Sequence, residues 1–234
     1  MYNLEIAIVI PIYNEEIIIN KVVDEILQKL KDKKFIIILI NDGSTDNTEE
    51  KLKKYNKLDN IKIINKKNQG HGPSLIRGYN EAIKHNPKFI FQIDSDDQIP
   101  FDEFFKIYHY PQNINIISGY RKKRKDPLIR LITTLILKII ILIVHQVLIK
   151  DSNVPFRLIK KEFLDENIAY IKNSNIPNVL LSILASRKNS LLQLPVKHKE
   201  RFTGVASITK FKLFFFSIKC FFEILKFKIS EKNS

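Results

Sequence analysis

The chain has 234 residues, 44% of them hydrophobic, which is enough for one well-packed α/β domain with a tail. Its single cysteine, Cys220, excludes an internal disulfide, and the early Glu5 in a short apolar run argues against a signal peptide, so a cytoplasmic protein is expected. A net charge of +14 favours an anionic partner, such as nucleic acid, an anionic membrane surface or a phosphorylated ligand.

Short β-branched runs alternate with amphipathic stretches through the first half of the chain. The predicted strands are IAIVIPI (6–12), FIIILI (35–40), IKII (61–64) and FIFQI (89–93), and the predicted helices after them span residues 15–30, 45–55, 74–85 and 101–108. Continuous apolar runs are typical of strands buried on both faces, so the pattern predicts βαβ units around a mostly parallel sheet. Ligands of such sheets bind beyond the carboxyl ends of the strands.

A polar loop follows each predicted strand: YNEE, NDGSTD, NKKNQGHG and DSDDQ. Taken singly, Asp42-Gly43-Ser44 is typical of a turn that caps a helix, and the glycines of NQGHGP are typical of a turn. Glycine there also lets a backbone approach a phosphate. The first loop lacks a G-x-G-x-x-G pattern, which argues against a dinucleotide oxidoreductase.

The fourth loop carries Asp94, Asp96 and Asp97 directly after a buried strand. These carboxylates repel one another at neutral pH, so a cation is expected to compensate them. Alternation along an extended segment places Asp94, Asp96 and Gln98 on one side. Oxygen ligands of this kind suit Mg²⁺ or Mn²⁺, with water and the oxygens of a diphosphate completing the coordination. The alternative is a solvated acidic turn.

Together and in this order, VIPIYNEE, INDGSTDNT, NQGHGPSLIRGYNEA and DSDDQIP resemble the family 2 glycosyltransferases with the glycosyltransferase-A fold. They are most similar to the dolichyl-phosphate mannose synthase and polyprenyl-phosphate glycosyltransferase branch, whose aspartate motif reads Asp-x-Asp-x-Gln-x-Pro. The resemblance covers residues 5–205. It implies an α/β catalytic domain over residues 1–205, with a mostly parallel central sheet and flanking helices, and a separate tail over residues 206–234.

The resemblance also implies roles for individual residues. Asp94 is expected beside the ribose or diphosphate of a GDP- or UDP-sugar donor, and it completes a metal set with Asp96 and Gln98 for Mg²⁺ or Mn²⁺. The metal would neutralise charge on the leaving diphosphate, which explains the acidic loop. The residues expected to line the nucleoside pocket are Pro11, Tyr13, Glu15 and Asp42.

A long amphipathic helix is predicted over residues 128–149, after a further strand, INIISGY (114–120). The apolar run is long enough to cross a bilayer of about 30 Å. However, Arg130 and Lys138 would each cost roughly 2.5 to 3.5 kcal/mol near its centre. Arg130, Thr134, Lys138 and His145 share one helical face, which predicts a helix in the membrane interface. The alternative is a core helix with a polar stripe.

A second amphipathic helix is predicted in the tail segment FKLFFFSIKCFFEILKFKIS. Lys212, Lys219 and Lys226 are seven residues apart and share a face with Glu223, while phenylalanines cover the rest. Exposed aromatic surface is unfavourable in water, so the pattern favours attachment to the anionic inner face of the membrane, where each basic residue adds about 1 kcal/mol. A homo-oligomer contact is the alternative.

In the polyprenyl-phosphate branch, arginines and a serine bind the acceptor phosphate, and Arg121, Arg130 and Thr134 match that pattern, with threonine for serine. The segment DSNVPFRL resembles the family segment that ends in Gly-Phe-Arg, with Pro155 in place of glycine. This resemblance carries over Arg157 as one of the residues expected to bind the donor. The segment PVKHKERFTG resembles the stretch with a further phosphate-binding arginine, here Arg201, and its His198 is a second candidate for phosphate contact.

The predicted chemistry is inverting transfer of one sugar to a polyprenyl (dolichyl or undecaprenyl) phosphate at the cytoplasmic membrane face. A monophosphate is already ionised at neutral pH and needs no general base, and none stands out in the sequence. The chain has no tryptophan, hence no Gln-x-x-Arg-Trp motif of processive synthases. Three alternatives remain. The first is a glycosyltransferase whose acceptor is a sugar hydroxyl of a cell-surface polysaccharide or lipopolysaccharide. The others are an inactive scaffold and a nucleic-acid-binding module around residues 121–125, although the residues that flank this basic run lack base-stacking aromatics.

Overall fold

Within the described residues, seven strands form one sheet in the order β3-β2-β1-β4-β6-β5-β7. The structure is a computed structural model that describes residues 4–109, 113–121, 128–199 and 210–227, without the side chains of residues 128–133 and 210–217. The strands are β1 (Leu4–Ile12), β2 (Phe35–Asn41), β3 (Ile61–Asn65), β4 (Pro87–Ile93), β5 (Ile116–Arg121), β6 (Phe156–Lys160) and β7 (Leu191–Val196).

Helices cover both faces of this sheet. They are α1 (Ile19–Lys29), α2 (Thr48–Leu52), α3 (His71–Lys84), α4 (Glu103–Tyr108), α5 (Leu128–His145), α6 (Lys161–Ile171), α7 (Pro177–Arg187) and α8 (Lys210–Lys226), with a 3₁₀ turn at Lys53–Tyr55. Helices α1, α2 and α4 pack on one face, and α3, α5, α6, α7 and α8 on the other, so two hydrophobic clusters flank the strands. All seven residues of β2 are buried, as the continuous apolar run predicts.

The sheet is mostly parallel, which confirms the predicted α/β architecture. Strand β1 pairs in parallel with β2 and β4, β2 with β3, and β5 with β7. Only β6 is antiparallel among the strands described, and it lies between β4 and β5. The carboxyl ends of the other six strands therefore meet at one rim, where β6 begins.

Some observed helix boundaries differ from the predicted ones because a turn replaces the expected helical residues. Helix α1 begins at Ile19 instead of residue 15 because the Glu15 carbonyl accepts hydrogen bonds from the amides of Ile18 and Ile19 in a preceding turn. Helix α5 ends at His145, and the next residue, Gln146, has a left-handed φ of 56°. The chain from residue 150 to 199 adds β6, α6, α7 and β7, for which the sequence carries no clear periodic pattern.

The described part of the polar face of α5, which is Thr134, Lys138 and His145, is turned towards the protein. His145 is buried, and Thr134 and Lys138 are half-buried, whereas apolar residues on the other side are exposed. Helix α8 packs beside α5 and also exposes apolar side chains. We call these side chains the outer apolar surface: Leu135, Ile136, Ile139, Leu142 and Ile143 of α5 with Ile218, Phe221, Phe222 and Leu225 of α8.

Neither α5 nor any other helix in the described part of the chain has the length and apolar character needed to cross a bilayer.

Candidate functional site

The candidate site lies at the rim between β1 and β4, which is the topological switch point of the sheet. From β1 the chain adds β2 and then β3 on one side, and then crosses to β4 on the other side of β1. The Ser95 hydroxyl, just after β4, donates a 3.1 Å hydrogen bond to the carbonyl of Pro11 in β1. Such switch points form the ligand crevice of open α/β sheets.

The loops after β1 and β2 are joined to each other by hydrogen bonds. The Asn14 amide, at a left-handed φ of 55°, donates to the Ser44 hydroxyl at 3.0 Å, and the Thr45 amide donates back to the Asn14 side chain at 2.8 Å. The Glu15 amide donates to the Thr48 hydroxyl at 2.8 Å. The two loops therefore form one wall, on which Glu15 is buried and Tyr13 is exposed.

Asp42, predicted to line the nucleoside pocket, is buried and organises the loop before α3. Its carboxylate accepts hydrogen bonds from the amides of Gln69 at 2.9 Å and Gly70 at 2.8 Å, and it also contacts the Lys66 ammonium. These bonds fix the backbone at the start of α3, where Gly70 takes a φ of 92°. A helix N-terminus held at the rim can bind an anionic group such as a diphosphate.

The acidic loop divides its three carboxylates between different partners. Asp97 lies 2.6 Å from the Lys21 ammonium and 3.7 Å from that of Lys199. Asp94 has the Nε2 atom of His71 at 3.9 Å, and Asp96 accepts a 3.2 Å hydrogen bond from the Gln98 amide. Protein cations therefore compensate Asp97, whereas Asp94 and Asp96 are the two acids of this loop that belong to the predicted metal set.

The predicted metal set fits a hard divalent ion. Among the residues described, no three histidine, cysteine or acidic side chains come together as a ready-made metal cluster. The predicted set instead has two carboxylates, Asp94 and Asp96, and one amide oxygen, that of Gln98. Mg²⁺ and Mn²⁺ commonly bind through one or two carboxylates, with water and substrate phosphates as the other ligands. The oxygen-only donor set at the switch point agrees with that chemistry. The prediction that residues 94–98 are extended is wrong, because the chain turns after Asp94 and Asp97 takes a left-handed φ of 54°.

The segment after β7 lies against the acidic loop. The Lys199 amide donates a 2.7 Å hydrogen bond to the carbonyl of Gln98, and the Gln98 side-chain amide reaches the Lys199 carbonyl at 3.5 Å. His198 is half-buried beside it. Arg201, predicted to bind the acceptor phosphate, lies just beyond, outside the described residues.

Of the other predicted phosphate ligands, Arg121 already has a protein partner. Its guanidinium forms a two-point ion pair with the buried carboxylate of Asp151, with Nε–Oδ2 and Nη2–Oδ1 distances of 2.8 and 3.1 Å. This pair uses two of the five N–H donors of Arg121. Thr134 is half-buried in α5. Arg130 belongs to the same helix, but its side chain lies outside the described part.

Arg157, predicted to contact the donor, is fully buried under the crevice instead of lining it. Its guanidinium donates hydrogen bonds to the carbonyls of Ser152, Val154 and Asn178 and to the Ser182 hydroxyl, at 2.9–3.3 Å. Burial lowers its pKa to about 10, while nearby Asp94 and Asp151 act in the opposite direction. A direct phosphate contact would require several of these bonds to break.

Four residues at the site were not predicted: Lys21, Lys66, His71 and Lys199. Lys21 and Asp97 are 76 residues apart in the sequence, so no local pattern signals their pairing. His71 carries a weak signal, because it lies between two glycines in the loop that opens a helix after a strand.

A mostly parallel sheet with an acidic loop at its switch point and a helix N-terminus beside it places this protein among the α/β proteins that bind a ligand at the rim of an open sheet. Residues 7–166, more than half of the chain, match the model of glycosyl transferase family 2. The chain therefore belongs to this family, and the predicted membership is confirmed.

Curated relatives include undecaprenyl-phosphate 4-deoxy-4-formamido-L-arabinose transferases. The protein from Proteus mirabilis (strain HI4320) is 22% identical over 215 residues, and the one from Yersinia pestis (strain Pestoides F) is 25% identical over 215 residues. Each match covers 89% of this chain and 64% of the relative. The chain thus spans somewhat less than two thirds of the length of these relatives.

Solved structures with the same fold include glucosyl-3-phosphoglycerate synthase from Mycobacterium tuberculosis. Its complex with UDP has a TM-score of 0.70 at 16% identity, and its complex with Mn²⁺, UDP and glucosyl-3-phosphoglycerate has a TM-score of 0.71 at 15% identity. Both matches cover 95% of this chain and 79% of the solved chain. The similarity confirms the predicted glycosyltransferase-A fold.

Proposed function

We propose that this protein is an inverting, metal-dependent glycosyltransferase that moves one sugar from a nucleotide sugar to a polyprenyl phosphate at the cytoplasmic face of a membrane. The observation that carries the proposal is the outer apolar surface of α5 and α8, which belongs to the same domain as the crevice between β1 and β4. An enzyme with a water-soluble donor and a lipid acceptor needs both features.

The donor half of the proposal rests on the rim of the sheet. The joined loops after β1 and β2 offer a wall for the nucleoside, and the start of α3 offers backbone amides for the diphosphate. Asp94, Asp96 and Gln98 would hold Mg²⁺ or Mn²⁺, which when bound neutralises charge on the leaving diphosphate. A related fold is known with Mn²⁺ and UDP, which supports a divalent ion and makes a UDP-sugar the first donor to test.

The acceptor half rests on α5 and α8. The outer apolar surface consists of nine exposed apolar side chains. An exposed surface of this kind is unfavourable in water. Lys219 and Lys226 of α8 are exposed near it, which suits anionic lipid. The curated relatives are named for transfer to undecaprenyl phosphate, which supports a polyprenyl phosphate as the acceptor.

The proposed reaction needs positioned charges more than a general base. A phosphate monoester with a second pKa of about 6 is largely dianionic at neutral pH, so its oxygen can attack the anomeric carbon directly. Attack opposite the leaving diphosphate inverts the configuration at that carbon. Arg130, Thr134 and Arg201, with the remaining donors of Arg121, would hold the acceptor phosphate in line.

A donor and acceptor screen tests the proposal. The protein is incubated with Mn²⁺ or Mg²⁺, each common UDP- and GDP-sugar, and a short polyprenyl phosphate, and the lipid product is analysed by mass spectrometry. We expect one sugar to be added per lipid, with inverted anomeric configuration. Transfer to a glycan hydroxyl, with none to the lipid phosphate, would overturn the proposed acceptor and favour the alternative acceptor.

A further inference from the structure

The carboxylate of Glu223, on α8, binds the segment that leads into α7. One oxygen accepts a hydrogen bond from the Ser174 hydroxyl, and the other accepts from the backbone amide and side-chain amide of Asn175, each at 3.2 Å. These are charge-assisted bonds, which are stronger than neutral ones. Glu223 therefore attaches α8 to residues 174 and 175 at three points.

Two further contacts fix the same segment. The Lys219 ammonium, one turn earlier on α8, lies 3.4 Å from the side-chain oxygen of Asn175. The Ser174 hydroxyl accepts a 2.9 Å hydrogen bond from the Ile176 amide at the start of α7. The negative charge of Glu223 thus lies at the N-terminus of an eleven-residue helix, where it is favourable.

On its other side, Asn175 packs against the first turn of α3. A Cβ atom added to Gly72 would lie 2.6 Å from the carbonyl carbon and oxygen of Asn175, so the two backbones touch with no space for a side chain. A shift of Asn175 must therefore displace the start of α3 or open a gap there. The residue before Gly72 is His71, whose Nε2 atom lies 3.9 Å from Asp94 in the acidic loop.

The same helix, α8, carries Phe221, Phe222 and Leu225 on the outer apolar surface, while Cys220 and Ile224 are buried in the core. One side of α8 is therefore available to a bilayer. Glu223, which contacts Asn175, lies between these exposed residues in the same part of the helix. The described contacts form a continuous path from the outer apolar surface through Glu223, Asn175 and Gly72 to the donor site.

We propose that Glu223 is a positioning residue that couples membrane attachment of α8 to the order of the first turn of α3, and so to binding of the donor diphosphate. This inference rests on the proposed function, because it takes a lipid surface as the partner of α8. Attachment restrains α8, Glu223 restrains Asn175, and Asn175 restrains the amides at the start of α3. The enzyme then binds its donor more tightly on the membrane than in solution.

Hydrogen exchange tests the coupling without knowledge of the donor. Exchange of peptides from α8, from residues 172–178 and from residues 70–78 is followed with and without vesicles of phosphatidylcholine and phosphatidylglycerol. In the native protein, vesicles should slow all three, with about fivefold slower exchange at residues 70–78. In Glu223→Gln, which keeps the size but loses the charge, vesicles should slow exchange in α8 only. Glu166→Gln, an exposed acid on α6, is the matched control and should behave as the native protein.

The possible outcomes separate the two proposals. If vesicles slow α8 but leave residues 70–78 unchanged in the native protein, the coupling is wrong while membrane attachment stands. Equal slowing of residues 70–78 in Glu223→Gln and in the native protein would also overturn the role of Glu223. If vesicles slow none of the three segments, membrane attachment itself fails, and the coupling fails with it. Even if Glu223→Gln does not fold, the native protein alone decides whether α8 attaches to vesicles and whether that attachment is coupled to residues 70–78.

Discussion

The ammonium group of Lys21, on α1, lies 2.6 Å from the carboxylate of Asp97 in the acidic loop. Hydrogen bonding to Asp97 raises the pKa of Lys21, and Lys199 adds a second cation at 3.7 Å. Asp97 is thereby distinguished from its neighbours Asp94 and Asp96. Asp97 attaches the loop to α1, whereas Asp94 and Asp96 are the two acids that we propose hold the metal.

Because Asp96 and Asp97 have different partners, replacing each by asparagine should reduce the transfer rate to different extents. Asp96→Asn should reduce the transfer rate on the order of 100-fold, because a metal ligand loses its charge, while the melting temperature stays close to native. Asp97→Asn should have a much smaller effect, since it breaks a pair whose lysine is mostly exposed. Asp102→Asn, at an exposed site beside Lys29, is the control. Full activity of Asp96→Asn, or of the native protein in excess chelator, would disprove the metal role.

A second prediction concerns Arg157 and separates a structural role from donor contact. Arg157→Lys should reduce the free energy of unfolding in urea by about 3 kcal/mol, because several buried carbonyl oxygens lose a donor at roughly 1 to 3 kcal/mol each. Arg77→Lys, on the exposed side of α3, should leave stability unchanged. If Arg157→Lys keeps native stability but loses nucleotide affinity, the direct donor contact predicted from the sequence is correct.

The sequence predicts the parts of this protein whose signal is local. Strands β1 to β5 are visible as continuous apolar runs, and the acidic loop is visible as three carboxylates where no core needs them. Helix α7 was missed because all nine residues from Pro177 to Ala185 are buried, which leaves no polar face to give a helical period. Strand β6 is a five-residue run without turn signals strong enough to separate it from α6.

Long-range geometry was the part that the sequence did not predict. The spacing of Thr134, Lys138 and His145 predicts a common face of α5, but periodicity does not say whether that face points to the protein or away from it. In the structure it points inward, because His145 finds partners on α7 and α8. The pairing of Arg121 with Asp151 depends in the same way on a contact 30 residues away.

The acceptor-phosphate residues give a third prediction. Arg130→Ala and Arg201→Ala should each raise the apparent KM for polyprenyl phosphate about tenfold or more, because a charge-assisted contact is lost, and should leave nucleotide affinity unchanged. Arg121→Ala should in addition destabilise the protein, since the buried carboxylate of Asp151 would lose a two-point ion pair. Arg77→Ala serves as the control. Equal losses of nucleotide affinity in the Arg130 and Arg201 variants would refute the acceptor assignment.

A fourth prediction concerns the pH dependence of α8 docking. His145 is buried, its Nε2 lies 3.1 Å from the Ile224 carbonyl, and its Nδ1 lies 3.0 Å from the Arg187 guanidinium. The neutral ring with the proton on Nε2 satisfies both contacts. Burial, with the neighbouring Arg187 charge, lowers the pKa of His145 below its usual 6.5. Docking should therefore be strongest above pH 6.5 and should weaken as the pH falls below it, by at most tenfold per pH unit.

The single cysteine offers a readout of this docking. Cys220 is buried on α8, so its modification by a disulfide reagent, relative to the rate in the denatured protein, reports how often α8 detaches. We expect the relative rate to rise between pH 7 and pH 5. In His145→Gln, which keeps a donor and an acceptor but cannot be protonated, the rise should be smaller. The same rise in both proteins would rule out His145 as the cause.

The fifth prediction concerns membrane attachment, for which single substitutions on the outer apolar surface are sharper than removal of the tail. Deletion of residues 208–234 should release the protein from anionic vesicles, but it also removes Cys220 and Ile224 from the core. If the deletion variant is insoluble and cannot bind nucleotide, these core contacts explain it. Phe222 and Ile143 are 52% and 72% exposed, so their replacement leaves the core intact.

Phe222→Asp and Ile143→Asp should each weaken co-sedimentation with phosphatidylglycerol vesicles about tenfold, since burial of one large apolar side chain contributes roughly 1.5 to 3 kcal/mol. Leu58→Asp, at an exposed leucine before β3, adds the same charge elsewhere and should bind as the native protein does. Lys226→Gln should weaken binding at low ionic strength only, because salt screens the lysine but leaves apolar burial largely unchanged. If both aspartate variants sediment as well as Leu58→Asp, the outer apolar surface is not the membrane contact. If native protein is instead dimeric and these variants are monomeric, that surface is a contact between two copies of the chain.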